Sequence, residues 1–246
     1  MTGFVNSIQS LGAVDGPGVR YVVFMQGCPL RCVYCHNPDT WLTEGGTPTD
    51  ADELVRRALR FRPYWKNGGG VTVTGGEPLL QADFVAEFFE KLHEHGVHTA
   101  LDTSGVGNLA QAEKVLEHTD LVLCDLKFLS KSRLPQKLPR RLRTDRALFA
   151  ADRDEGRTAV DSACGRAPVS PTRSTISAAS RRRQKAIRTS KKLEFLPFHK
   201  LCIEKYDRLG LEFPLRDTPA MTNERLSELL AQLERKSTSP RCFLLF

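Results

Sequence analysis

Three cysteines crowd into eight positions near the start of this chain, Cys28-Pro-Leu-Arg-Cys32-Val-Tyr-Cys35. Thiolates are soft ligands, suited to iron–sulfur clusters or to zinc. A loop of this spacing can wrap three sulfurs around an iron–sulfur cube and leave one iron without a protein ligand. Zinc is the alternative, with His36 as fourth ligand, although a ligand adjacent to Cys35 suits a tetrahedral ion less well than a spaced one. The cysteines number seven, and in a reducing compartment clustered cysteines bind metal more often than they form disulfides. Cys124, Cys164, Cys202 and Cys242 are scattered and read as free or core thiols. Further on, Gly75-Gly76-Glu77-Pro78 is on its own an ordinary turn. Beside a ligand, the same bare glycines would let the backbone approach closely.

These groups need a scaffold, and the surrounding sequence alternates in a way that supplies one. Val19–Met25 is an apolar, β-rich run that leads into the cysteine loop. Thr49 and Asp52 stand at capping-box spacing before a helix expected over 50–61, which stops ahead of Pro63. Val71–Thr74 reads as a strand running into Gly75. A helix over 81–95 aligns Phe84, Val85, Phe88, Phe89 and Leu92 on one face, with Gly96 as its C-cap. Val97–Asp102 is a strand, Leu109–Glu117 a helix and Leu121–Leu126 another strand. Repeated strand, loop and helix is the signature of a parallel sheet with crossover helices, an α/β fold. Chemistry in such sheets gathers at the carboxyl ends of the strands. The cysteine loop, Gly75–Pro78, Asp102–Ser104 and Asp125–Lys127 all fall there.

Composition excludes some functions. At 246 residues with 40% apolar content, the chain is long enough for one sizeable domain. No stretch has the roughly 18 consecutive apolar residues of a membrane span. The first residues lack a secretory pattern, so the cytosol is the expected location. The net charge of +7 is local: residues 130–192 hold 18 Lys and Arg against 5 Asp and Glu, a balance of +13, leaving −6 for the rest. With one aromatic in that segment, Phe149, and no recognisable module, nucleic-acid binding is not expected.

The C-x3-C-x2-C loop with Tyr34 before its last cysteine, followed by Gly75-Gly76-Glu77-Pro78 at a strand end, resembles the radical S-adenosylmethionine (SAM) superfamily. Asp15-Gly-Pro-Gly-Val-Arg20, Cys35-His36-Asn37, Asp102-Thr103-Ser104-Gly105 and Asp125-Leu126-Lys127 together resemble its glycyl-radical-enzyme activases. Leu196-Pro-Phe-His199 and the absence of any cysteine between Cys35 and Cys124 favour the branch that acts on pyruvate formate-lyase. The resemblance implies a partial (β/α)6 TIM-like barrel, with a [4Fe–4S] cluster on Cys28, Cys32 and Cys35. The SAM contacts it implies are Tyr34, Gly75, Gly76, Glu77, Asp102 and Lys127. It further implies a monovalent cation held by Asp102, Thr103, Asp125 and the Leu123 carbonyl. Asp15 would touch the glycyl loop of pyruvate formate-lyase, while His36 and Asn37 buttress the cluster loop. A flavodoxin-like electron donor and a monomeric state belong to the same expectation. The alternatives are a single-cluster radical SAM enzyme acting on a small molecule, and a non-enzymatic zinc protein with a basic arm.

The sequence departs from this pattern in one place and divides there. Residues 1–129 carry the motifs, and 193–246 supply a strand at Leu193–Pro197 and a helix capped by Thr222 or Asn223. Between them, 130–192 holds 13 Arg and 8 Ser with no period of two or of 3.6. Ordinary length with foreign composition suggests a change of reading frame entered near Ser130 and corrected near Lys192. The barrel would then lack two strands and the chain would be an inactive activase. A basic disordered insertion is the other explanation.

Overall fold

The computed structural model describes residues 1–125, 158–164 and 192–234. Eight strands among them form one open sheet: β1 (Thr2–Gly12), β2 (Arg20–Met25), β3 (Thr47–Asp50), β4 (Gly70–Gly75), β5 (Thr99–Thr103), β6 (Leu121–Asp125), β7 (Thr158–Cys164) and β8 (Lys192–Leu196). Their spatial order is β3-β1-β2-β4-β5-β6-β7-β8. The six strands from β2 onward pair in parallel, as a (β/α)6 half-barrel requires. The remaining two, β1 and β3, add an antiparallel edge that the apolar periodicity did not reveal.

Of the two strands expected to be missing between 130 and 192, one is present: a strand over 158–164 lies between β6 and β8. Its residues, Thr-Ala-Val-Asp-Ser-Ala-Cys, show no apolar alternation, but parallel pairing is made by backbone groups, and those on the facing edges of β6 and β8 are left to be satisfied.

Three helices cover the sheet: α1 (Ala51–Leu59), α2 (Ala82–Glu94) and α3 (Leu109–Glu117). The cap of α1 is Asp50, not Thr49: its carboxylate accepts from the amides of Asp52 (2.9 Å) and Glu53 (3.3 Å). On α2, Phe84, Val85, Phe88, Phe89 and Leu92 face the sheet as the 3.6 spacing predicts, all buried against Val23, Val71, Val73 and Leu101. Each such side chain contributes about 1.5–3 kcal/mol on burial.

At the amino ends of the strands, the guanidinium of Arg20 is fully buried and binds Thr72 Oγ1, Val71 O, Gly68 O, Pro17 O and His98 O. Burial lowers its pKa to about 10, against the opposing charges of Asp120 and Asp15. This side chain ties together the starts of β2, β4 and β5, so the opposite rim is held in register.

Two short helices, α4 (Ile203–Arg208) and α5 (Asn223–Glu234), complete the described chain. Thr222 provides the side-chain cap of α5, with Oγ1 accepting from Arg225 N at 3.2 Å.

Candidate active site

The cysteine loop leaves β2 through Gln26 and Gly27. Gly27 N donates to Thr40 O at 2.9 Å, and Gln26 Nε2 reaches Leu42 O at 2.7 Å, so the loop closes on the chain that returns from it. Inside the loop, Cys35 N binds Cys32 O at 3.0 Å and the Arg31 guanidinium holds Cys28 O at 2.7 Å. Arg31 also lies 5.1 Å above the Trp41 ring. Cys28, Cys32 and Cys35 share one small core with Leu30, Tyr34, Val106, Phe198, Cys202, Tyr206 and Phe213. This second core is separate from the layer beneath the helices, and it roofs the carboxyl rim of the sheet.

Burial pushes the Cys28 thiol up to about 12, and the nearby Glu77 charge adds to the shift. Metal binding at this sulfur would displace the thiol proton. Cys35 Sγ accepts from Asn37 N at 3.4 Å. Among the described residues no three His, Cys, Asp or Glu side chains converge on a single point. A cube spaces its thiolates more widely than one tetrahedral ion does. His36, which a zinc site would need, instead stacks edge-on against His199 at 4.2 Å, with Nε2 3.3 Å from His199 O. Three thiols on one loop, Cys32 buried and Cys28 and Cys35 half-buried, an amide on one sulfur and a fully buried, partnerless Tyr206 hydroxyl in the same core suit an iron–sulfur cube.

The Gly75–Pro78 turn sits directly on this loop. Gly76 N donates to Met25 O (3.0 Å) and Glu77 N to Gly27 O (2.8 Å). A Cβ on Gly76 would lie 2.1 Å from Gly27 O, and one on Gly75, whose φ is +110°, 2.4 Å from Met25 N. Only glycine permits this approach.

Glu77 is fully buried, and its carboxylate is occupied by the protein itself. Leu79 N (3.1 Å) and Thr103 Oγ1 (2.6 Å) donate to Oε1, and Ser104 N (3.0 Å) and its hydroxyl donate to Oε2. Burial raises its pKa, with the Ser104 and Thr103 hydroxyls pulling it back. The Glu77 side chain thus braces two strand ends, and the expected SAM contact of this turn falls to its backbone.

The remaining predicted residues divide between the two rims. Asp102 and Thr103 end β5 beside Leu123 and Cys124 of β6, in register, with Asp125 one residue further along β6. The structure brings these predicted cation ligands together at one rim. Thr74 Oγ1 donates to Asp102 Oδ2 at 2.6 Å, which orients that carboxylate. Tyr34 is buried in the small core. Lys127 lies outside the described residues. Asp15 stands apart: it precedes β2, at the amino rim, with its backbone carbonyl bound by Thr72 Oγ1 at 2.7 Å. Burial raises the pKa of its half-buried carboxyl, with the Arg20 charge opposing.

Sequence reasoning missed the roof of the site. Lys205 Nζ binds Asn37 Oδ1 at 2.9 Å and Asp39 Oδ1 at 3.1 Å, clamping α4 onto the turn after the cysteines. From α4 and the residue before it, Tyr206 and Cys202 enter the small core; Cys202 had read only as one of the scattered thiols. A six-residue helix shows too few turns for its buried face to be read as a period.

Comparison with known proteins agrees with this geometry. Residues 14–146 match a family described as a 4Fe-4S single cluster domain. A pyruvate formate-lyase-activating enzyme of Clostridium pasteurianum is 42% identical over 232 residues, covering 92% of this chain and 95% of the relative. The enzyme of the same name from Staphylococcus aureus is 37% identical over 257 residues, covering 98% of each. In fold, the chain is similar to Streptococcus suis SuiB bound to S-adenosylmethionine, with a TM-score of 0.51 at 14% identity, over 87% of this chain and 44% of that one. With its carboxyl-rim cysteine loop and full-length relatives, the chain belongs to the family of pyruvate formate-lyase-activating enzymes.

Proposed function

We propose that this chain activates pyruvate formate-lyase by generating a glycyl radical on it, with Cys28, Cys32 and Cys35 as the thiolate ligands of a [4Fe–4S] cluster. The chemistry supplied by the bound cluster and SAM is one-electron cleavage of SAM to methionine and a 5′-deoxyadenosyl radical, which takes hydrogen from a glycine Cα. The protein's own residues do the positioning. The cysteine loop would hold the cluster through three thiolates, and Gly75 and Gly76 would offer bare backbone to the SAM amino group. Thr74 orients Asp102 so that, with Thr103, Asp125 and the Leu123 carbonyl, it offers hard oxygens to a monovalent cation beside the SAM carboxylate. Tyr34 and the small core keep water from the site. Lys127 completes the proposed set; Asp15, at the amino rim, would meet the partner's glycyl loop only outside the site that holds SAM. A flavodoxin-like protein delivers the electron to a cytosolic monomer.

The observation that carries this reading is the contact of Glu77 N with Gly27 O at 2.8 Å. It seats the glycine turn against the residue before Cys28, so a ligand of the open iron must lie against that turn. The test is anaerobic reconstitution of the full chain with iron and sulfide, followed by reduction with SAM and pyruvate formate-lyase. About four irons per chain, release of 5′-deoxyadenosine and a glycyl-radical resonance on the partner are expected. One zinc per chain, or no cleavage of SAM by a reduced four-iron protein, overturns the proposal.

We also infer that the composition of 130–192 arises from a change of reading frame, a reading supported by an overall length that matches the relatives. Translating the encoding DNA in its other frames tests this; absence of apolar, strand-like runs there rules it out.

A further inference from the structure

Among the described residues, three buried side-chain donors have no hydrogen-bond partner: Trp41 Nε1, Trp65 Nε1 and the Tyr206 hydroxyl. Two of the three, Trp41 and Tyr206, lie in the small core over the cysteine loop, with their rings edge-to-face at 5.9 Å. Tyr206 is fully buried, and its ring also packs at 4.9 Å against Phe213. Lys205, next to it in the chain, is fixed to Asn37 and Asp39, so the helix that carries the phenol cannot drift from the loop. Buried hydroxyls are otherwise satisfied in folded proteins, because an unmade bond is costly in a dry interior. After burial itself, the groups whose charge acts on this phenol are Cys35, Cys202 and Cys32, in that order. What places the hydroxyl near the cysteines is the small core it shares with Cys28, Cys32, Cys35 and Cys202.

We propose that the Tyr206 hydroxyl donates a hydrogen bond to a sulfur of the bound cluster and thereby raises the reduction potential. Hydrogen bonds to cluster sulfurs stabilise the more negative, reduced state, and burial alone would depress the potential. Tyr206 then eases the entry of the electron on which SAM cleavage depends. This rests on the cluster assignment above.

The test compares the reconstituted full-length native protein with Tyr206→Phe, which keeps the ring and removes the hydroxyl. Iron content is matched, and the reduced cluster is titrated by electron paramagnetic resonance at controlled potentials. The one-electron reduction equilibrium is expected to weaken about tenfold, a move of about 59 mV to more negative potential. An unchanged midpoint at full iron content overturns the proposal and leaves the cluster assignment standing, with a trapped water as the phenol's partner. A native protein with no four-iron signal at all overturns the assignment instead. If the Phe variant loses its iron, 3-fluorotyrosine at position 206 decides: the stronger donor is expected to move the midpoint positive, and no movement overturns the proposal.

Discussion

Thr103 and Glu77 meet through a hydroxyl-to-carboxylate hydrogen bond of 2.6 Å that joins the end of β5 to the turn after β4. With Ser104 and Leu79 donating as well, the carboxylate bridges two neighbouring strand ends. Glu77→Gln replaces an acceptor-only group by one that carries two donors, so at least one bond becomes a donor–donor clash. A loss of about 2 kcal/mol in the denaturant-unfolding free energy of the metal-free protein is expected. An unaltered unfolding midpoint would show that the bridge contributes little.

Gly76→Ala probes the approach of the glycine turn to the cysteine loop. Its added methyl would stand 2.1 Å from Gly27 O, a backbone atom that cannot swing aside. Either the turn or the loop must shift, costing about 3 kcal/mol. SAM affinity, read by the change that the ligand causes in the cluster's resonance spectrum, should drop with it. Native-like affinity in this variant would contradict the seating described for the turn.

Lys205→Met keeps the aliphatic stem and removes the ammonium that binds Asn37 and Asp39. Because the pair is partly exposed, the cost in global stability is only about 1 kcal/mol. The sharper effect is local: the roof over the cysteines opens more often, so iron should be lost to a chelator several-fold faster. Equal rates of loss would mean that α4 is held chiefly by its apolar face.

His98 sets a pH limit at the opposite rim. Burial first, and then the Arg20 charge 3.3 Å away, lowers its pKa from the usual 6.5, while Asp120 opposes the shift. A lowered folded-state pKa means that the unfolded chain takes up a proton before the folded one does. The stabilising contribution is complete above about pH 6.5 and is lost as pH falls through the folded value. The melting temperature of the metal-free protein should therefore decline as pH falls below about 6.5, and His98→Asn should flatten that part of the profile.

Much of the scaffold could be read in advance because β2, β4, β5 and β6 lie inside a parallel sheet and are rich in buried apolar and β-branched residues. Strand β1 escaped notice because its pattern is interrupted. Its register slips twice, between Val5 and Ser7 and between Gln9 and Gly12, which breaks the period of two. The cysteine positions were legible since three sulfurs within one loop need no partner elsewhere in the chain. The roof was not, because Lys205 lies 168 residues from Asn37 and no local pattern records such a contact. The bonds from Thr103 and Ser104 to the Glu77 carboxylate span 26 and 27 residues, so no local pattern records them either.

The long separation between Lys205 and Asn37 orders events at the ribosome. At about 5–20 residues per second, synthesis of the intervening 168 residues takes on the order of ten to thirty seconds. Throughout that interval the nascent cysteines have neither Tyr206 nor Phe213 above them. The cysteine loop is thus uncovered while the chain is being made and partly covered afterwards, with Cys32 buried and Cys28 and Cys35 half-buried.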